Sequence, residues 1–442
     1  MPHVLRLVLS CLCLGTLFGN AAHAETYVYV TNTTAAPVTV QVSQSGDAQL
    51  ALGSSWGREA NVIPAYATRR VMWMNRNVGI TNGKTFYFDT TVSSGDSSMV
   101  LRQKLTGTLV SSNLWHSARG AGFNDPWYGD RNVHQRDTTF AQKASVASYR
   151  AKFTGGYDDV HYVVHNKNTV EPASGSDELK VLSYNVWALP VVANNICARL
   201  DEIADNLAGY DVVTLQEIFD NDCRTRFLAK VGAAFPYQSR LVDIPSNILL
   251  NGGSMVLSRW PIMADDSIVF DRCVGSDCLA NKGANYVQIL KNGKAYHLSN
   301  THAPSTDSDE ARQARFEALG KIRTMLDSKK IPASDALLIA GDMNINKYKF
   351  PDDYARMQSI LRASAPASTG YAYTYDAAVN VNATSVVSGG STEYLDYILV
   401  ANENRQPVRK ENNVRILRSL RDEVWYAHDL SDHFPVAGLF AF

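Results

Sequence analysis

Leu337-Leu-Ile-Ala-Gly-Asp-Met-Asn344 is an apolar run that stops abruptly at Asp342 and Asn344, and the chain repeats that design. Val181-Leu-Ser-Tyr leads into Asn185, Val212-Val-Thr-Leu-Gln into Glu217, and Leu298-Ser-Asn-Thr into His302. Asp396 sits within Tyr394-Leu-Asp-Tyr-Ile-Leu399, and Asp432-His433 comes just before Phe434-Pro-Val436. Taken singly, an Asp or Asn after a strand is most often a cap or turn residue. Six such strand ends meeting at one edge of a sheet are another matter, because α/β folds collect their sites there.

Working outward from these runs, strand-like and helix-like segments alternate. Strands are expected over 180–186, 211–216, 254–257, 336–340, around 393–400 and at 435–440. Helices are expected over 197–207, 224–233, near 353–362, and from an N-cap at Ser308 to Leu326. Asn292-Gly293 is a hairpin signal joining two further strands. Mixed strands and helices with several hairpins imply an α/β sandwich of two packed sheets. Before residue 165 the texture differs. Tyr27-Val-Tyr-Val30, Val38-Thr-Val-Gln-Val42 and Thr85-Phe-Tyr-Phe-Asp89 are β-rich and punctuated by Gly, Asn, Ser and Asp, which suggests a small all-β sandwich. The polar stretch 166–178 reads as a linker. The expected division is therefore a signal at 1–24, a β domain at 25–165, that linker, and a larger domain at 179–442.

The signal rests on Arg6, an apolar run from about Leu7 to Phe18, and Ala22-His23-Ala24 as a cleavage site. That run is too short to span a bilayer. Export, extracellular or periplasmic, is the expectation. Beyond the signal four cysteines remain, and in an exported protein an even number suggests disulfides. Of three pairings, Cys273 with Cys278 and Cys197 with Cys223 are favoured. At 45% hydrophobic and 19% charged residues, the chain can fill a large core and is too weakly charged for a disordered one. A net charge of −1 argues against nucleic acid as the partner, since phosphate binding usually draws on a basic excess.

One Glu, one or two Asp and two Asn are oxygen ligands suited to a hard cation such as Mg²⁺. Two histidines add a base and an acid or oxyanion partner near neutral pH. The chain has no GxSxG elbow, no Cys-His signature and no Walker loop. Metal-assisted attack of water on a phosphodiester is the reaction these residues suit.

Ser183-Tyr-Asn-Val-Trp187, Leu215-Gln-Glu217, Asn300-Thr-His302, Gly341-Asp-Met-Asn344, Tyr394-Leu-Asp396 and Ser431-Asp-His433 occur in the order found in the endonuclease/exonuclease/phosphatase superfamily. From about Lys180 onward the chain resembles that family. Asp277-Cys-Leu-Ala-Asn-Lys282-Gly283 looks like the Asp/Lys loop of its neutral, Mg²⁺-dependent bacterial sphingomyelinase C branch. A plainer reading of Asp277 and Lys282 is an exposed ion pair, worth little.

The resemblance implies a DNase I-like four-layer α/β sandwich and hydrolysis of sphingomyelin at a membrane surface. It implies Mg²⁺, with Mn²⁺ or Co²⁺ as alternatives, as one or two ions. Glu217 would be the main metal ligand with Asn185 beside it. His433 would be the general base, oriented by Asp396. Asp342 and Asn344 would position water and phosphate, Asp432 would support the metal shell, and His302 would bind a phosphoryl oxygen. A monomer without an obligate protein partner is expected.

Two alternatives stand beside this reading. A secreted nuclease would share every catalytic residue. A lipid- or carbohydrate-binding protein could carry an inactive catalytic domain. Trp425 and Tyr426 are candidates for membrane insertion or for packing at a sheet edge. Trp56, Trp73, Trp115 and Trp127 could give the β domain lipid affinity or fill its core.

Overall fold

The computed structural model describes residues 24–245, 248–386 and 390–442. The expected signal, residues 1–24, lies almost wholly outside the described residues. Two compact units divide the chain, the first ending at Lys167 and the second running from Asn168 to Phe442.

The first unit is all β. One six-stranded sheet contains Glu25–Thr33, Thr68–Asn75, Lys143–Phe153, Asp158–Asn166, His134–Phe140 and Trp56–Arg58. The other contains Val38–Gly46, Thr85–Ser94, Ser97–Gly107, Ser112–Gly120 and the short Val62–Ile63 and Phe123–Asn124. Alternation along the strands sends one face inward: Val38, Val40 and Val42 are buried while Thr39, Gln41 and Ser43 are exposed. Val28, Val30, Met72 and Tyr162 from one sheet share a core with Phe86, Phe88, Leu101 and Leu105 from the other. Trp56 belongs to that core, so it is not a surface residue; Trp73, Trp115 and Trp127 are half-buried.

In the second unit, two sheets pack face to face with helices outside, the four-layer arrangement expected. The first sheet runs in the order Tyr237–Gln238, Met255–Ser258, Val212–Gln216, Glu178–Asn185, Val436–Ala441, Arg409–Val414, Ala367–Gly370. The second runs Ile262–Val269, Gly283–Lys291, Lys294–His302, Ala336–Asp342, Asp396–Ala401, Ala363–Ser364. Side-chain alternation again decides what packs where. On Glu178–Asn185, Leu179 and Val181 join the core between the sheets, whereas Leu182 and Tyr184 face a second cluster with Leu200, Ile203 and Phe227 of the helices Ile196–Asp205 and Asn221–Val231. Asp309–Ser328 and Pro351–Leu361 cover the other sheet through Phe316, Leu319, Met357 and Leu361. Ser308 caps its helix as expected, accepting a hydrogen bond from the Ala311 N–H.

Among the described residues the two favoured disulfides are the two present, Cys197–Cys223 and Cys273–Cys278. The first ties the two outer helices together. The second closes the turn that carries Asp277.

The stretch read as a linker is bound to the second unit over most of its length. Lys180 Nζ donates to the Pro172 carbonyl at 2.7 Å, Arg415 to Glu171 at 2.8 Å, and Ser174 Oγ to Asp211 at 2.9 Å. Trp425 is buried at 1% exposure and packs edge-on against Tyr426 and His428, so it is not an exposed membrane tip.

Candidate active site

Strand register, more than local sequence, assembles the site. In the second sheet His302 pairs with Asp342 and Asp342 with Asp396, which places three candidate site residues in one row across adjacent strands. Lys294–His302 and Ala336–Asp342 run parallel and contribute their C-terminal ends. Asp396–Ala401 is antiparallel to them and so contributes its first residue. In the first sheet Asn185 pairs with Gln216, and Glu217 follows directly. Close approach of Lys294–His302 and Ala336–Asp342 depends on Gly341, where an added Cβ would lie 2.0 Å from the Thr301 carbonyl oxygen.

Asn185 joins the two sheets. Its Nδ2 donates to Glu217 Oε1 at 3.0 Å and to Asp342 Oδ2 at 3.1 Å, while its Oδ1 accepts from the Trp187 N–H at 3.1 Å. His433 Nδ1 is hydrogen-bonded to Asp396 Oδ2 at 2.8 Å, and its Nε2 lies 3.8 Å from Asp342 Oδ2. On the other side His302 Nε2 is 3.7 Å from both Glu217 Oε1 and Asp342 Oδ2. Asn344 donates from its backbone N–H to Asp342 Oδ1 at 2.9 Å and from its side chain to the Ala303 carbonyl at 3.0 Å. Asp432 Oδ1 accepts from Ser431 Oγ at 3.2 Å, and the same hydroxyl reaches the Asn185 carbonyl at 2.6 Å.

Asp277 and Lys282 belong to this edge. Their ion pair, 2.6 Å, is buried, which excludes the exposed-pair reading. Asp277 also accepts from the Ser305 backbone N–H at 2.7 Å and hydroxyl at 2.9 Å. Lys282 Nζ meets His302 Nε2 at 3.1 Å.

Three residues that turn the chain here occupy the left-handed backbone region: Trp187 at φ 46°, Glu217 at 55° and Asn344 at 50°. For Trp and Glu this costs roughly 1–2 kcal/mol each. Such strain persists where surrounding structure holds a side chain in a required direction.

Electrostatics divide the titratable groups. Burial raises the Glu217 carboxyl above its ordinary value. Burial and the Asp396 charge raise Asp342 to about 6, and burial followed by the Glu217 charge raises Asp432 to about 7. Burial alone would push the His433 imidazole down, yet Asp396, Asp342 and Asp432 together hold it well above its usual value. His302 goes the other way: burial, then the Lys282 and His433 charges, hold it well below. Asp396 Oδ1 is buried without a hydrogen-bond partner. Packed, under-compensated carboxylate oxygens of this kind fit a divalent cation, whose charge would offset both desolvation and mutual repulsion.

Several supports of the site lie outside the strand-end motifs. Arg199 donates to the carbonyls of Val186, Trp187 and Leu430, locking the turns beside Asn185 and Asp432. Its place between Ile196 and Ile203, on an otherwise apolar helix face, was the available signal. The Tyr375 ring packs edge-on 5.3 Å from His433, and Thr374 Oγ1 accepts from the Leu395 and Asp396 N–H groups. Nothing local in the sequence marks either.

A family model described as the Endonuclease/Exonuclease/phosphatase family matches residues 182–433, more than half of the chain. The chain belongs to this family. The matched segment spans every residue gathered at this edge, and the chain is a phosphoric diester hydrolase. Among curated proteins, sphingomyelinase C of Listeria ivanovii is 34% identical over 290 residues, 59% of this chain and 85% of that protein. Sphingomyelinase C of Bacillus cereus is 32% identical over 310 residues, 62% and 93% respectively. A beta toxin variant from Staphylococcus aureus, solved with bound magnesium ions, is 29% identical with a TM-score of 0.55, covering 60% of this chain and 100% of that one.

Proposed function

We propose that this phosphodiesterase is secreted, depends on a divalent cation, and hydrolyses sphingomyelin to ceramide and phosphocholine. The observation that carries the reading is the convergence of the His433–Asp396 pair, the Glu217–Asn185–Asp342 cluster and the Lys282–His302 pair on one strand-end edge, in a chain 34% and 32% identical to two sphingomyelinases C.

His433 takes the proton from the attacking water at Nε2, for which the ring must be neutral; a cation held by the neighbouring carboxylates would offset the charges that raise it. The bond from Nδ1 to Asp396 fixes the tautomer and the ring direction that this requires. Asp342, next to that nitrogen, and Asn344 orient the water and the phosphate. Oxygen attacks phosphorus in line, the new P–O bond forms, the P–O bond to ceramide breaks, and the departing ceramide oxygen takes up a proton from solvent to leave as the alcohol. His302 is held neutral, so Lys282 supplies the positive charge beside it, and together they bind the phosphoryl oxygen that gains negative charge. Asp277 holds the buried Lys282 side chain in place through their 2.6 Å ion pair. Glu217, with Asn185 beside it and Asp432 in support, would hold Mg²⁺, Mn²⁺ or Co²⁺, as one or two ions. When bound, the cation polarises the phosphodiester and offsets carboxylate charge.

A lipid surface as the site of action is supported by an apolar rim next to this edge. Pro190, Phe219, Ile244, Ile248 and Leu249 line a cavity of about 390 Å³ together with the polar Asn221, Arg224, Asp243, Asn251 and Asn281. Val191 and Leu249 are fully or largely exposed, and Phe219 and Asn281 lie next to the Glu217 and Lys282 segments. Two disulfides support an oxidising, exported setting. Residues 25–165 are assigned a lipid- or carbohydrate-binding role. Its support is the half-buried Trp115 and Trp127, whose rings lie 4.7 and 5.0 Å from Lys104 Nζ.

The test is the full chain with Mg²⁺ against sphingomyelin, phosphatidylcholine and plasmid DNA. Phosphocholine release from sphingomyelin is expected, abolished by EDTA and lowered roughly 10²–10⁴-fold in His433→Ala. Cleavage of DNA alone overturns the reading.

A further inference from the structure

We propose that the first unit carries a zinc site made by His116, Asp130 and His134, which cross-links the two sheets of its sandwich.

His116 lies in the middle of Ser112–Gly120 and is fully buried. Neither of its ring nitrogens has a hydrogen-bond partner. A buried imidazole left without any partner is costly, and native interiors rarely contain one without a reason. Aromatic rings surround it: Tyr149 edge-on at 5.9 Å and Tyr128 at 6.4 Å. His134 stands 5.7 Å away, ring to ring, with its Nε2 2.9 Å from Asp130 Oδ1. One ligand atom from each of His116, Asp130 and His134 falls within 4.8 Å of the other two.

The three residues come from different parts of the sandwich. His116 belongs to one sheet and His134 opens a strand of the other, with Asp130 in the connection between them. Each is held in place. The His116 and Tyr128 backbones exchange two hydrogen bonds of 2.9 Å, which fixes the connection against the strand. The Tyr128 ring stacks on His134 at 3.6 Å and 14°, setting the imidazole plane. Asp130 accepts from the Asn132 N–H at 2.9 Å.

Two imidazoles and one carboxylate favour zinc over Mg²⁺ or Ca²⁺, which take oxygen ligands. Zinc bonds of roughly 2.0–2.2 Å need ligand atoms somewhat closer than they stand here. Asp130 is exposed and His134 half-buried, so both side chains can close that gap while His116 stays fixed. The exposed side leaves room for a fourth ligand from solvent. The remaining charges nearby are paired elsewhere: Arg136 with Asp125, to which Tyr149 also donates, and Arg131 with Asp158.

The site is independent of the catalytic reading, and its test keeps the two apart. Full-length wild type, His134→Ala, Asp130→Asn and Glu217→Gln would be stripped with chelator, incubated with ZnCl₂, desalted and assayed for bound zinc. Wild type and Glu217→Gln are expected to share one equivalent that His134→Ala and Asp130→Asn lack. Zinc should raise the melting temperature of Glu217→Gln and leave that of Glu217→Gln/His134→Ala unchanged. Mg²⁺-supported hydrolysis by His134→Ala should match wild type. Equal zinc content in wild type, His134→Ala and Asp130→Asn would overturn the proposal, as would zinc that disappears only with Glu217→Gln.

Discussion

Replacing Asp432 by Asn should stabilise the fold and weaken the enzyme, and the size of the first effect follows from the site. Burial, then the Glu217 charge, raises the Asp432 carboxyl from 3.8 to about 7 in the folded protein. Between those two values the folded state binds a proton that the unfolded state has released, so wild-type stability falls as pH rises through this window. From pH 5 to pH 8 the shift corresponds to roughly two pH units of unequal proton binding, or about 2–3 kcal/mol. Asn has nearly the same shape, carries no charge, and keeps an oxygen for Ser431 Oγ. In EDTA, Asp432→Asn should therefore melt close to wild type near pH 5 and above it at pH 8. At roughly 2–4 °C per kcal/mol for a domain of this size, the gap at pH 8 should approach 5–10 °C. Thermal melts of both proteins over pH 5–8, followed by circular dichroism, read it directly. Adding Mg²⁺ should narrow the gap, because wild type then gains charge compensation that the variant partly lacks. A melting difference that stays constant with pH would refute the reasoning, since charge burial would not be its origin.

Asp277→Asn should leave the Lys282 ammonium buried without its carboxylate and lower stability by about 3–5 kcal/mol in urea unfolding at pH 7; an effect below about 1 kcal/mol would return the pair to a surface-like role. Membrane engagement should follow the apolar rim: Val191→Glu with Leu249→Glu should reduce pelleting with sphingomyelin vesicles while melting stays near wild type. Trp425→Ala should instead destabilise by about 3–5 kcal/mol, as deletion of a buried aromatic does, and a well-folded Trp425→Ala protein that has lost only vesicle binding would contradict its placement.

Much of the second unit could be read in advance, for a physical reason. Its strands are short apolar runs broken by polar residues, and its helices carry their own start signals, as at Ser308, so local pattern and tertiary structure agree. The edge strand Ile262–Val269 carries no legible strand signal, because it is half-exposed along its length and shows no clear hydrophobic alternation. Arg409–Val414 is largely polar and is held as a strand by pairing with Val436–Ala441 on one side and Ala367–Gly370 on the other. Trp425 shows the limit of composition: an aromatic pair among charges reads equally well as a membrane tip or as packing, and only its neighbours decide.

The candidate residue types and their order are already present in Leu337 to Asn344 and its counterparts along the chain, and the four cysteines beyond residue 24 stand ready to pair. Residue type sets which ligands and bases a chain can offer. Tertiary structure decided which atoms face one another: the row His302–Asp342–Asp396 exists only through strand register, and the Asn185 bridge only through two sheets packing together. It also decided the charges. Burial raises Asp342 and Asp432 and lowers His302, and the same burial makes Asp277–Lys282 an internal pair. Desolvation depends on everything that surrounds a group, and residues distant in sequence supply most of those surroundings.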